Sequence, residues 1–336
     1  MQYQSHQAVT GTILVADDQD ANRELLDELL TTQGFRVVTV PDGAAAVEEL
    51  SRTQVDLVLL DVIMPHLNGF EVCQKIKSSA ETYLIPVVLI TALSDKQDRI
   101  EGIKAGADDF LTCPVDRAEL LARVGSLLKL KHRTDELERA ESVLFTLAQS
   151  IEGKDPYTRG HCERLSNYSA RLGEHLGLAE DQIVALRRAG IVHDVGKVAV
   201  PDAILLKPGK LTELEWELMR EHPVVGERIC APLKSFRLVL PVIRHHHEKL
   251  DGSGYPDGLR EDAIPITARI LQIVDVYDAL TTERPYKRAF SITDALQTMK
   301  QEVAKGWWDP QIFGEFERLV TSGTANLLSK GAAAAQ

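Results

Sequence analysis

The first 130 residues alternate between short continuous apolar runs and segments whose apolar positions return every three or four residues. Runs at Thr12–Ala16, Phe35–Val40, Val55–Leu60 and Pro86–Thr91 have the length and β-branched content of buried strands. Helical spacing follows over Ala21–Leu30, Ala44–Leu50 and Phe70–Lys77. Strand then helix, repeated, predicts an α/β domain with a doubly wound parallel sheet covered on both faces.

The pattern changes after Glu119. Glu119–Lys131 reads as the last helix of this domain, and neither Pro nor Gly interrupts the chain from Ser126 to Glu152. Leu130, Leu137, Leu144 and Ile151 fall seven apart, a spacing that suits a helical linker pairing with a second copy. The same spacing suits one amphipathic helix packed on its own domain, and Arg133 in the seam keeps any coiled coil short. Beyond it come helix-period segments at Arg159–Leu176, Ala179–Ala189, Thr212–Glu221, Val225–Leu233, Phe236–His246, Ile266–Leu280 and Ile292–Gln301, with few strand-like runs. They predict an all-α second domain. The expected division is a leader at 1–10, an α/β domain at 11–130, a linker at 131–151, a helical domain at 152–328 and a tail at 329–336.

A length of 336 residues fits two domains, because single cores seldom outgrow ~300 residues. The net charge of −12 argues against a DNA-binding surface built on broad phosphate neutralisation, so an anionic substrate needs local cations or metals. Cys73, Cys113, Cys162 and Cys230 are widely spaced and suggest neither a zinc ribbon nor a disulfide framework. Met1 to Thr10 is polar, and no apolar run approaches ~18 residues. The expectation is a cytoplasmic protein without a membrane span.

In a doubly wound sheet the working crevice lies at the carboxyl ends of the strands. Asp17 and Asp18 end the first expected strand, Asp61 the third and Thr91 the fourth. Clustered carboxylates repel unless a hard cation joins them, and oxygen ligands suit Mg²⁺. With Asp61-Val62-Ile63-Met64-Pro65 and Gly106-Ala107-Asp108-Asp109-Phe110-Leu111, residues 11 to 130 resemble the receiver domain of two-component response regulators. The resemblance implies five strands, Asp17, Asp18 and Asp61 as Mg²⁺ ligands, Asp61 as phosphoacceptor, and Thr91 and Phe110 as switch residues. It also implies a sensor histidine kinase as partner. One position departs from the family: the lysine expected before Pro114 is Cys113, and a neutral thiol cannot supply its positive charge to an acyl phosphate.

The second domain holds a run of three histidines, His245-His246-His247, leading into Glu248-Lys249-Leu250-Asp251-Gly252-Ser253-Gly254-Tyr255-Pro256. Imidazole is a common transition-metal ligand, although such a run also occurs as an exposed polar tract. Further donors are His161, the adjacent His193-Asp194, His222, and Asp275 on an apolar helical face, where an unpaired carboxylate is costly. Mixed imidazole and carboxylate donors suit Fe, Mn, Ni or Zn, and the set exceeds one tetrahedral shell, so two metals are expected.

Residues 145 to 325 resemble an HD-GYP domain, whose name-giving residues are His193-Asp194 and Gly254-Tyr255-Pro256. The resemblance implies hydrolysis of cyclic di-GMP to linear pGpG, in the family often onward to GMP. The metal ligands carried over are His161, His193, Asp194, His222, His246, His247 and Asp275, with Asp194 bridging. Lys197, Arg284 and Lys287 fall where the family neutralises substrate phosphate, and Asp194 and Lys197 are the expected catalytic pair. His245 is expected to take no metal. A third metal in some members uses a glutamate four residues before the first histidine ligand. Tyr157 stands there, which points to two metals, although Asp155 and Glu152 are near in sequence. The rival reading is a weak or inactive metal- and nucleotide-binding module acting through protein contacts. Another is a hydrolase for a different cyclic dinucleotide or a mononucleotide.

Overall fold

The structure is a computed structural model that describes residues 10–91, 96–154, 160–283 and 289–322. It contains two compact units, 1–140 and 141–336.

In the first unit five parallel strands lie in the order β2-β1-β3-β4-β5. They are β1 (Thr12–Ala16), β2 (Arg36–Val40), β3 (Leu57–Asp61), β4 (Val87–Thr91) and β5 (Asp109–Thr112). The register sets Val15 beside Leu59 and Leu60 beside Leu89. Burial of β1, β3 and β4 on both faces explains their unbroken apolar runs. The helices are α1 (Asp20–Thr31), α2 (Gly43–Leu50), α3 (Gly69–Ser78), α4 (Lys96–Lys104) and α5 (Arg117–Glu152). At α3, Asn68 and Glu71 form a reciprocal capping box. A Cβ on Gly69 would lie 2.4 Å from the Asp61 carbonyl oxygen, so only glycine lets α3 start so close to β3.

The last helix of the first unit continues without a break into the segment expected to be a helical linker. α5 runs 36 residues without interruption. Its Leu120, Val124 and Leu128 sit in one core, and its Leu144, Ala148 and Ile151 in the other. The expected pairing seam therefore divides: Leu130 and Leu137 are exposed, whereas Leu144 and Ile151 pack inside their own unit. For those two positions the single-helix reading holds, because burying them at home leaves nothing to offer a second copy.

The second unit is helical: α6 (His161–His175), α7 (Glu180–Val192), α8 (Asp202–Leu205), α9 (Glu213–Met219), α10 (His222–Cys230), α11 (Leu240–His245), α12 (Ile266–Thr281), α13 (Ile292–Ala304) and α14 (Pro310–Thr321). The helix expected over Phe236–His246 is shorter: a 3-10 turn at Lys234–Phe236 comes first, and α11 begins at Leu240 with Pro241 in its first turn, where the missing N–H costs no helical bond. Two glycines set the approach of the ligand-bearing elements. A Cβ on Gly190 would lie 2.4 Å from the Ser166 nitrogen, so α7 packs tightly on α6. A Cβ on Gly196 would lie 1.9 Å from the His222 carbonyl oxygen, so the turn Val195–Ala199 rests directly on α10.

Candidate metal centre and receiver site

The candidate histidine ligands of the helical unit lie at or just beyond helix ends. His161 opens α6, His193 follows α7 as its C-cap, His222 opens α10, and His246 and His247 follow α11. Asp275 projects from α12. Donor atoms of Asp194, His222, His246 and His247 lie within 4.8 Å of one another, as do those of His161, His193 and Asp275. The seven residues singled out in the sequence thus converge as two adjoining groups. Asp194 touches both: one oxygen lies 3.3 Å from His193 Nε2, the other 3.2 Å from His222 Nε2 and 3.9 Å from His246 Nε2.

The imidazoles are held by their outer nitrogens. Nδ1 of His222, His246 and His193 faces the carbonyl oxygens of Met219, Ile243 and Gly190 at 2.8, 2.7 and 3.2 Å. A carbonyl only accepts, so these contacts assign the proton to Nδ1 and turn a lone pair on Nε2 inward. His246 and His247 are held well below the ordinary imidazole value, chiefly by burial, which keeps them neutral as a metal ligand must be. For His193 burial also lowers the value, but the Asp194 charge prevails and raises it. Burial pushes the Asp194 carboxyl up, yet Lys197 and the neighbouring histidines hold it well below the carboxylate range.

These residues fit a divalent metal pair. His193 Nε2 and Asp194 Oδ1 are buried polar atoms without a hydrogen-bond partner, an arrangement costly unless a cation completes it. His246 Nε2 turns its lone pair toward the same carboxylate oxygen. His222 Nε2 and His246 Nε2 face each other at 3.3 Å.

Several supporting residues carried no clear sequence signal for these roles. Asp278, one turn beyond Asp275 on α12, accepts from His161 Nδ1 at 2.8 Å and from Arg164 Nε at 2.6 Å. Burial raises its carboxyl, but His161 and Arg164 together bring it below the ordinary value. Its spacing of three from Asp275 was the available hint. Glu248 has no exposed surface; its carboxylate accepts the backbone N–H groups of Asp257, Gly258 and Leu259 at 2.7, 3.1 and 3.0 Å. Tyr255, folded back by this clamp, stacks on His247 with ring centroids 4.8 Å apart. Gly252 turns the loop at φ +78°, whereas Gly254 answers a close approach, since a Cβ there would lie 2.3 Å from the Lys249 nitrogen.

His245 stays outside both groups. Its Nδ1 lies 3.5 Å from Asp257 and 4.0 Å from Glu248, in a network closed by Arg244 on Asp257. Lys197 pairs with Asp194. Arg284, Lys287, Asp155 and Tyr157 lie outside the described residues.

In the α/β unit, donor oxygens of Asp17, Asp18 and Asp61 come within 4.8 Å of one another at the strand ends. Asn22 Nδ2 and the Gln19 N–H orient Asp17 at 3.0 and 2.8 Å. Burial, with the Asp17 charge second, lifts the Asp61 carboxyl from 3.8 to about 6. Thr91 is buried at the end of β4, and Phe110 lies in β5 with the Arg99 guanidinium 5.8 Å from its ring. Asp17, Asp61 and Cys113 line one cavity of about 570 Å³. Burial first, then the charges of Asp61 and Asp17, raises the Cys113 thiol, so it is neutral at pH 7.

Residues 13–125 match the response regulator receiver domain, and residues 145–312 match an HD domain. The chain is 36% identical over 307 residues to the cyclic di-GMP phosphodiesterase response regulator RpfG of Xanthomonas campestris pv. campestris, covering 84% of this chain and 81% of the relative. This chain belongs to the response regulators with an HD domain. A cyclic di-GMP phosphodiesterase of Thermotoga maritima is 33% identical over 92% of this chain and 90% of its own length. Over 178 residues the chain is also 38% identical to 3'3'-cGAMP-specific phosphodiesterase 3 of Vibrio cholerae, covering 53% of this chain and 38% of that protein. Receiver and HD unit are thus both members of known families. The HD domain implies divalent metals, which the two donor groups fit. No described helix is long and apolar enough to cross a membrane.

Proposed function

We propose that this response regulator hydrolyses cyclic di-GMP to pGpG in its HD unit. The observation that carries the reading is one carboxylate, Asp194, shared between two complete donor groups. His161, His193 and Asp275 would hold one metal, His222, His246 and His247 the other, with Fe, Mn, Ni or Zn suiting the donors. Such metals supply Lewis-acid activation of water and phosphodiester when bound. The chain's own part is to hold four imidazoles by second contacts, keep His246 and His247 unprotonated, and place Lys197 beside Asp194, where its ammonium offsets charge on the scissile phosphate and can protonate the leaving oxygen. Arg284 and Lys287 would bind the substrate's phosphates. Tyr255 and the loop after His247 shape the side of the site.

In the receiver, Asp17, Asp18 and Asp61 would hold Mg²⁺, and Asp61 would take a phosphoryl group from a sensor histidine kinase. Thr91 and Phe110 would report it. The receiver acts on the HD unit through the 131–151 segment of α5, with a homodimer formed along the exposed Leu130 and Leu137. A cytoplasmic setting accords with four unpaired cysteines.

The test is incubation of the Mn²⁺-loaded full chain with cyclic di-GMP and separation of the products. The wild type yields pGpG, and Asp194→Asn loses turnover by about a thousandfold or more, as expected when an activated nucleophile is no longer assembled. Turnover retained in that variant refutes the assignment. Because a relative is named for 3'3'-cGAMP, the same assay run with both dinucleotides in competition ranks the substrates.

A further inference from the structure

Helix α6 begins without a side-chain cap of its own: its N-cap is Gly160, at φ +73°. The cap comes from elsewhere. Glu152, the last residue of α5, accepts the backbone N–H of His161 at 2.7 Å and that of Cys162 at 3.4 Å through Oε1. A carboxylate there satisfies orphan donors and complements the helix dipole. The residue whose N–H it takes is a metal-site histidine, whose ring is fixed independently by Asp278. Glu152, His161, Cys162, Asp194 and Lys197 also line one small cavity beside the donor groups.

We propose that Glu152 is a positioning residue, tying the end of α5 to the His161 side of the metal centre. Leu144, Ala148 and Ile151 lock the preceding turns of α5 into the HD core, so Glu152 is held at a fixed register. The same helix carries Leu120, Val124 and Leu128 of the receiver core. A rotation or shift of α5 therefore reaches His161 through one carboxylate. This deepens the proposed function by naming where regulation meets the metal site, and it rests on that reading.

The acceptor, rather than the charge, is what the geometry requires. Glu152→Gln keeps an Oε1 acceptor, Glu152→Asp falls a methylene short, and Glu152→Ala has none. Mn²⁺ titration of the metal-free full chains by calorimetry reads the effect without reference to turnover. The weaker of two Mn²⁺ affinities is expected to fall about 10- to 100-fold in Glu152→Ala, as for lost outer partners of metal ligands elsewhere, and to stay within about threefold in Glu152→Gln. kcat should follow occupancy, with KM unchanged at saturating Mn²⁺. Should Glu152→Ala fail to fold by circular dichroism, Glu152→Asp against Glu152→Gln carries the comparison. Wild-type affinity in Glu152→Ala, or in Glu152→Asp where that carries the comparison, overturns the proposal. So does an equal loss in Glu152→Gln, or a fall from three metals to two, which makes Glu152 a ligand. If the wild type binds two metals but leaves cyclic di-GMP intact, the substrate reading fails while the affinity comparison stands.

Discussion

Removing the Glu248 carboxylate should loosen the loop that ends the metal site. Its Oε1 accepts from Asp257 and Gly258 and its Oε2 from Leu259, all in a fully buried setting. Glu248→Ala strands three backbone donors; at roughly 1 kcal/mol or more each, unfolding of the HD unit should become easier by about 3–5 kcal/mol. Glu248→Gln keeps the two bonds to Oε1 but turns an amide N–H toward the Leu259 N–H, so the cost should be about 1–3 kcal/mol. Trp216, Trp307 and Trp308 all lie in this unit, so tryptophan fluorescence in a urea titration follows it without the receiver. Tyr255 shares the clamped loop, so turnover should fall in the same order, Ala below Gln below wild type. A Glu248→Ala midpoint within about 0.5 kcal/mol of wild type, the range of ordinary surface changes, would refute this account of the loop.

Other outcomes follow from close contacts and from charge. Gly254→Ala forces a Cβ within 2.3 Å of backbone; a destabilisation of about 1–3 kcal/mol and a loss of turnover are expected, and an unaltered melting curve would count against the packing. For metal-free receiver, the Asp61 carboxyl binds its proton more tightly folded than unfolded. Its contribution is therefore most favourable below pH 3.8 and declines as pH rises through about 6. Asp61→Asn should flatten that slope in urea midpoints measured between pH 4 and 7, and an unchanged slope would contradict it. Cys113→Lys restores a cation beside Asp61, so beryllofluoride binding with Mg²⁺ should tighten about tenfold, one charge-assisted bond's worth; equal binding in both chains would show that the thiol is no handicap.

How far sequence reached is clearest from individual residues. The continuous apolar runs determined β1, β3 and β4, because a strand buried on both faces leaves no room for polar positions. The seven candidate ligands that the fold brings together could also be named from the sequence, since chemistry restricts ligands to few side chains and the chain has only ten histidines. What tertiary structure alone decided concerns partners far apart in the chain. Arg164 and His161 meet Asp278 across more than 110 residues, and no local pattern encodes that pairing. The split of the heptad seam is of the same kind: Leu137 and Leu144 look alike in sequence, yet one is exposed and the other buried. Glu152 reads locally as a helix end. Only the fold returns its carboxylate to the backbone of His161, because a cap is defined by where the next helix begins in space.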